Sequence, residues 1–475
     1  MALANRTMTQ GARRNHRSRQ PLELRLHRAP AMVILTAIPL VAALVGFGLQ
    51  QHGSPIFPAP VVEAPERGRI LASDGTILAE GNVAHRRYPQ QALAAHVVGF
   101  SGAIQPDGRY GLEGIERTFD TALQQGADIK LTIDPILQAA AERRLQEAIA
   151  THEAQNGSVV MLEAATGRIL AAASYPTFDP NAQGSSPRAA IQNQAFLQQY
   201  EPGSVMKPFV VASLLQSGRM EATETIDAPP TKRVGLKTFR DVAPHDATLE
   251  VKDVLRYSSN TAMLNMTTRF EPQELHAWLR HFGFGQTLPM TDAYTRPGML
   301  NPWQDWVPQD QASVTIGQSV ATTPLQLAAA YSIFANDGVL VPPKLVEGAE
   351  TPPAYRVLST EVSQTVRDML VHTVEESGLR NSIIPGVQVA GKTGTADIYS
   401  PEQGTYPDDW YSLTFAGMFP ADDPDVVMVV MLQHPKAGST STQVAGPLFR
   451  AIGSEVVAHW GIAPDAQMLA ATAAR

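Results

Sequence analysis

An antiparallel sheet covered by helices, in the α+β class, is the architecture that this 475-residue sequence predicts. Three observations predict it. Two short apolar strands, 158–163 and 168–173, are joined by Ala-Ala-Thr-Gly as a hairpin. A long stretch dominated by helical patterns comes next. Three further apolar runs, 387–396, 411–419 and 426–432, then read as a strand meander, closed by a helix over 447–460. Strands interrupted by one helical insertion, rather than alternating with helices, point to α+β and away from a parallel α/β sheet. An apolar fraction of 44% is ample for a sizeable core. The chain has no cysteine, which removes disulfides, thiol nucleophiles and cysteine-ligated zinc and leaves the redox compartment open.

Charge is divided along the chain. Residues 1–28 hold seven arginines and one acid, Glu23, for a net +6; the whole chain carries −8, so the rest carries −14. A basic tail on an acidic body admits a nucleic-acid reading. The next segment of the chain argues against it. Residues 29–49 contain no charged side chain, and these 21 residues match the length of a bilayer-crossing helix. Pro39 is tolerable there. The arginines precede the span and no Lys or Arg comes after it until Arg67, so the positive-inside rule puts the tail in the cytoplasm and the remainder outside. The competing reading, a cleaved signal peptide, calls for a shorter apolar core of roughly 7–15 residues.

A Pro- and Ala-rich spacer over 51–66 leads to an Asp74-Gly75 turn between two short apolar strands. Leu131-Thr132-Ile133 ends another strand. Asp134 then caps a helix with Pro135 at its first position, running to about Thr151. The block 50–150 therefore reads as a small, mostly extended module with one helix and no acid/base clustering, suited to spacing or docking. The larger domain occupies 151–475. Within it a helix near 241–265 carries Tyr257-Ser258-Ser259-Asn260, and Thr323-Pro324 starts a helix ending at Ala335, before Asn336-Asp337-Gly338. No internal repeat is visible.

Three short elements carry chemistry, and each occurs once. In Ser204-Val205-Met206-Lys207 a Pro-Gly turn precedes the serine and an apolar helix comes after it. Residues i and i+3 share a helix face, so the Lys207 amine can reach the Ser204 hydroxyl. A buried lysine has a lowered pKa and can act as a base for a serine nucleophile. The second element is Ser258-Ser259-Asn260. The third is Lys392-Thr393-Gly394-Thr395, closing an apolar strand. Alone, these read as an ordinary helix start, a polar turn and a strand end. In this order and together they supply the parts of acyl transfer: a nucleophile, a base, a proton donor and a place to hold substrate in register. Gly394 lets a substrate backbone approach, and the strand edge offers a peptide a place to add as a further strand. Lys392, Thr393 and Thr395 suit a carboxylate.

This set resembles the signature of penicillin-binding proteins and serine β-lactamases. The resemblance extends to Arg67-Gly68-x-Ile70, Asp74-Gly75, Tyr110-Gly111-Leu112-Glu113-Gly114-Ile115-Glu116, Leu131-Thr132-Ile133-Asp134, Thr323-Pro324-Leu325-Gln326-Leu327-Ala328 and Ala335-Asn336-x-Gly338. With the single N-terminal anchor, it is to the class B, monofunctional penicillin-binding proteins, D,D-transpeptidases of the bacterial plasma membrane whose catalytic domain faces the cell wall. The short module is similar to that of division-type members, with the elongation type as the alternative.

The resemblance implies a transpeptidase domain on a small pedestal. It makes Ser204 the acylated nucleophile, Lys207 its base and Ser258 the proton relay beside Lys392. Asn260 would orient Lys207 and the substrate amide, and the Ser204 and Thr395 N–H groups would form the oxyanion hole. Thr393 and Thr395, with Gly394, would hold the terminal carboxylate. It implies stem peptides and β-lactams as ligands and a membrane-embedded glycan polymerase, with other envelope-assembly proteins, as partners. It implies no cofactor, metal or nucleic acid. A hydrolytic D,D-carboxypeptidase or a β-lactamase-like enzyme shares the motifs and stays open.

Overall fold

The computed structural model describes residues 66–469, apart from Gly378, Pro401 and Gln467. The chain divides after Glu63, and the described residues belong to the second unit, Ala64–Arg475. Among them no helix is long and apolar enough to cross a membrane; the basic tail and the span expected at 29–49 lie outside them.

The N-terminal module is mixed where the sequence suggested a mostly extended one: beside its two- and three-residue strands it holds the short helices Ala95–Val98, Gly114–Thr118 and Asp120–Gln124. Strands Ile70–Leu71 and Ile77–Ala79 pair antiparallel around the Asp74-Gly75 turn, and Ile129–Lys130 adds parallel on the other side. Its buried residues, including Ile70, Leu78 and Leu131, join the same core as those of the larger region. Polar ties add to this. Thr132 Oγ1 donates to Ile169 O at 2.8 Å, and Asn181 Nδ2 donates to Tyr88 O at 3.0 Å.

Helix α1 (Pro135–His152) starts on Asp134, whose carboxylate accepts from Ile136 N and Leu137 N. Leu137, Ala141, Leu145 and Ile149 recur every four residues, and this stripe packs on the central sheet. The boundary expected at 150 leaves α1 with the module; its apolar stripe binds it to the sheet instead.

That sheet has strands β1 (Asn156–Glu163), β2 (Ile169–Tyr175), β3 (Ala390–Asp397), β4 (Tyr411–Phe419) and β5 (Val426–Gln433) in the order β3-β4-β5-β1-β2, all antiparallel. The polypeptide between β2 and β3 is the helical insertion. It contains α2 (Lys207–Gln216), α3 (Asn260–Thr267), α4 (Pro324–Ala335) and α5 (Thr360–Glu376). Helix α6 (Ala445–Trp460) closes the described fold.

Side chains alternate across the sheet with period two. On β5, Val426, Met428 and Val430 face α1 and α6, while Val427 and Val429 face the insertion. A strand covered on both faces reads as an unbroken apolar run, as this one does. All twelve residues of α4 are buried, and its start is a capping box of Thr323 and Gln326. Helix α2 is the pivot of the insertion. Phe209 lies 5.0–5.2 Å, centroid to centroid, from Phe282, Phe284, Tyr331 and Phe334. Burial of one such ring contributes about 1.5–3 kcal/mol, and aromatic contacts add about 0.5–1.5 kcal/mol per pair. The helix after Ser204 is thus held rigidly.

One expected element differs. The single helix placed at 241–265 is two, Val251–Arg256 and α3, with Tyr257-Ser258-Ser259 as the break between them. Ser258 takes φ +56°, a left-handed conformation that costs an L-residue on the order of 1 kcal/mol. Ser259 caps α3 by accepting from Ala262 N.

Candidate active site

Ser204 lies in a 3-10 turn, Gly203–Met206, that runs directly into α2. The turn is held on three sides. Gly203 N donates to Gly317 O at 3.0 Å, and Tyr331 Oη donates to Val205 O at 2.9 Å. On the third side is β3. Gly203 has φ +61°, and a Cβ there would sit 2.6 Å from Thr395 O. A Cβ on Gly394 would sit 2.5 Å from Pro202 O and 3.0 Å from Val205 Cγ1. Gly394 therefore gives its space to the nucleophile's own turn, where the sequence suggested room for a substrate backbone. A Gly394→Ala substitution overpacks this contact, which typically costs about 1–3 kcal/mol. It is expected to displace Ser204 and slow acylation on the order of a hundredfold, as a 1 Å misplacement does. Stopped-flow acylation alongside a melting curve measures both effects.

Lys207 is fully buried. Its Nζ donates to Ser258 O, to Ser258 Oγ at 3.1 Å and to Asn260 Oδ1 at 2.8 Å. Lys392, 1% exposed, reaches the same hydroxyl from β3, with Nζ 3.2 Å from Ser258 Oγ and 3.1 Å from Thr393 O. Ser258 Oγ thus bridges two lysines. Asn260 is oriented by its own donor, Nδ2 to Arg240 O at 2.8 Å, which leaves Oδ1 for Lys207. Among the described residues no hydrogen bond joins Ser204 Oγ to Lys207 Nζ; in unliganded sites such bonds are often absent and form when substrate enters.

Burial pushes Lys207 well below the usual lysine range, and the nearby charge of Lys392 pushes it further, while Asp241 pulls the other way. Burial alone lowers Lys392 to about 7. Two cations this close and this dry cannot both hold their protons easily, so one amine is available as a base at neutral pH.

The predicted residues converge: Lys207, Ser258, Asn260 and Lys392 are joined directly, and Gly394 and Thr395 wall the Ser204 turn. Thr393 and the exposed Thr395 lie on β3, which is the sheet's edge strand. Thr395 Oγ1 shares a 3.0 Å hydrogen bond with Ser441 Oγ, and Ser441 also donates to Gly394 O. Sequence reasoning missed Ser441, Tyr331, Asp241 and His245. Ser441, Tyr331 and Asp241 act through contacts distant along the chain, with no local pattern to mark them, and His245 acts only through its neighbour Asp241.

A serine turn beside two buried lysines, on a helix-covered antiparallel sheet, defines a serine acyl-transfer enzyme. A family model described as the penicillin binding protein transpeptidase domain matches residues 157–454. The chain belongs to that family, as a class B penicillin-binding protein. The probable peptidoglycan D,D-transpeptidase PenA of Neisseria gonorrhoeae is 32% identical over 417 residues, covering 81% of this chain and 70% of that protein. Peptidoglycan D,D-transpeptidase FtsI of Escherichia coli is 30% identical over 413 residues, covering 80% and 68%. The crystal structure of penicillin binding protein 3 from Mycobacterium tuberculosis aligns with a TM-score of 0.76 at 31% identity, over 86% of this chain and 99% of that one. The same protein complexed with ampicillin aligns with a TM-score of 0.77.

Proposed function

We propose that this chain is a D,D-transpeptidase that cross-links peptidoglycan stem peptides through an acyl-enzyme on Ser204 and that β-lactams acylate the same serine. The observation that carries it is Ser258 Oγ held between Lys207 Nζ at 3.1 Å and Lys392 Nζ at 3.2 Å, beside the Ser204 turn. Neutral Lys207 takes the Ser204 proton as Oγ attacks the penultimate D-alanine carbonyl. The Ser204 and Thr395 N–H groups receive the oxyanion; a first-turn N–H has no partner within its own turn. The C–N bond breaks as Ser258 passes a proton from Lys207 to the leaving D-alanine amine. Lys392 supplies positive charge beside it. Asn260 orients Lys207 and the substrate amide, and Thr393 and Thr395 hold the terminal carboxylate, with Gly394 shaping the strand. An amine of a neighbouring stem peptide then attacks the ester and frees Ser204.

The names of the relatives support this chemistry, as do the β-lactam complexes of the Mycobacterium tuberculosis protein. The remaining parts of the reading come from the sequence. Residues 1–28 form a cytoplasmic tail, 29–49 a single membrane span, 50–150 a pedestal whose last helix, α1, packs on the catalytic sheet, and 151–475 the catalytic domain outside the plasma membrane. The partner is a membrane-embedded glycan polymerase, and the setting is septal wall synthesis.

Incubation of the purified chain with benzylpenicillin is expected to add one penicilloyl group, mapped by tandem mass spectrometry to the peptide bearing Ser204, and to lose it slowly. An adduct elsewhere overturns the assignment, and turnover within seconds favours a β-lactamase. With a stem-peptide substrate and a D-amino acid acceptor, an exchanged product marks transfer, whereas hydrolysis alone marks a carboxypeptidase.

A further inference from the structure

Asp241 precedes α3 by nineteen residues yet holds the first two N–H groups of the helix and the Ser259 hydroxyl that caps the third. Its Oδ1 accepts from Asn260 N and from Thr261 N at 3.1 Å. Its Oδ2 accepts from Ser259 Oγ at 2.6 Å, Thr261 Oγ1 at 2.8 Å and His245 Nε2 at 2.8 Å. A carboxylate at a helix N-terminus satisfies N–H groups that otherwise have no partner and complements the helix dipole. Here the same contacts fix the backbone on both sides of Asn260. The neighbouring Ser258 is in the left-handed region at φ +56°, a conformation that persists only where its surroundings impose it. That conformation turns Ser258 O and Oγ toward Lys207 Nζ.

His245 supports the carboxylate. The Asp241 and His245 side chains are each 4% exposed. His245 Nδ1 faces Asp246 O and Nε2 faces Asp241 Oδ2, both at 2.8 Å. A carbonyl and an ionised carboxylate accept and do not donate, so both ring nitrogens carry protons and the side chain is an imidazolium. Burial opposes this charge, but the Asp246 carbonyl and the Asp241 carboxylate outweigh it and raise the imidazole's pKa. The other groups facing the ring are Tyr257, 5.8 Å away between centroids, with the Arg256 guanidinium 4.7 Å beyond over the tyrosine face.

We propose that Asp241, clamped by His245, is a positioning residue for acylation: it fixes the Ser258-Ser259-Asn260 turn so that Ser258 and Asn260 converge on Lys207. This rests on the proposed acyl transfer through Ser204. Asp241 touches neither substrate nor Ser204 in this role. It sets the geometry of the base, and its negative charge favours the protonated form of Lys207.

The test compares the full-length, detergent-solubilised chain with its Asp241→Asn and His245→Gln variants, using benzylpenicillin over a pH series. Dissociation constants are separated from the first-order acylation rate by saturation kinetics. In Asp241→Asn the rate is expected to fall on the order of a hundredfold, with the dissociation constant unchanged within about twofold. Loss of the negative charge lowers the Lys207 pKa, so the acidic limb of the rate profile moves to lower pH. His245→Gln keeps a donor to Asp241 but loses the cation, and a severalfold fall in rate is expected. An unchanged rate in both variants overturns the proposal. So does a fall matched by loss of folded protein with the acidic limb unmoved, which marks a purely structural residue. Failure of the parent chain to acylate at Ser204 instead refutes the acyl-transfer reading itself.

Discussion

Replacing Lys207 by methionine is expected to lower the second-order rate of β-lactam acylation by about a thousandfold while leaving the protein folded. A positioned general base contributes roughly 10²–10⁴ in rate, and Lys207 is the amine on the same turn as Ser204. Methionine nearly fills the same volume, so no large cavity forms. Ser258 O and Asn260 Oδ1 lose their donor, at a cost of about 1–3 kcal/mol, and the protein no longer buries an amine. Stability therefore moves little against the change in rate, and a melting curve beside stopped-flow acylation separates the two. A fall of less than tenfold would assign the base elsewhere, with Lys392 as the next amine. The pH dependence has a definite sign. Only neutral Lys207 accepts the serine proton, so acylation fails as pH drops through its depressed pKa. For Lys392, lowered from 10.5 to about 7, the unfolded chain binds more protons in the window between those values. The site's contribution to stability therefore rises with pH across it and is lost as pH falls toward 7.

Much of this site was legible because its chemistry is tied to fixed spacings. Ser204 and Lys207 must be one helical turn apart, and the strand bearing Lys392 must end an apolar run. Strand β5 was legible because Val426–Gln433 is apolar on both faces. Helix α4 was legible to its ends because Thr323, Pro324 and Gln326 form its start. The break at Ser258 was not. Tyr257, Ser258 and Ser259 carry no glycine or proline to announce a left-handed residue. The conformation is imposed by Lys207 Nζ, 51 residues away in sequence, and by Asp241. Gly394 was read for the right reason, close backbone approach, but toward the wrong neighbour. Nothing local distinguishes a substrate strand from the Pro202 carbonyl. Helix α1 was assigned by its position in the chain, whereas its four-residue stripe of Leu137, Ala141, Leu145 and Ile149 decides where it packs.

The module that carries no catalytic group offers the second large effect. Arg67 is fully buried, with Nε 2.8 Å from Glu116 Oε2 and an Nη 2.9 Å from Asp120 Oδ1. Arg86 Nε completes the group at 2.6 Å from Glu116 Oε1, so two guanidinium groups face two carboxylates away from water. Asp120 Oδ1 also accepts from Gly111 N at 2.8 Å and Tyr110 N at 3.1 Å, tying the strand Gly111–Glu113, which pairs antiparallel with Phe100–Ser101, to the cluster. Arg67→Met leaves two buried carboxylates with one cation. Breaking a buried pair in this way typically costs about 3–5 kcal/mol. At about 1.4 kcal/mol per factor of ten, amide exchange at Tyr110 and Gly111 is expected to accelerate by roughly a hundred- to a thousandfold. Hydrogen-exchange mass spectrometry reads this locally, and unchanged protection would show that the cluster is not what holds the module together. The double variant Arg67→Met, Glu116→Gln decides between charge and packing. It removes one carboxylate along with its cation, so that one cation, Arg86, and one carboxylate, Asp120, remain in the cluster. Partial recovery of protection assigns the loss to uncompensated charge, whereas a further fall assigns it to the hydrogen bonds that Glu116 receives from Arg86 and Tyr88.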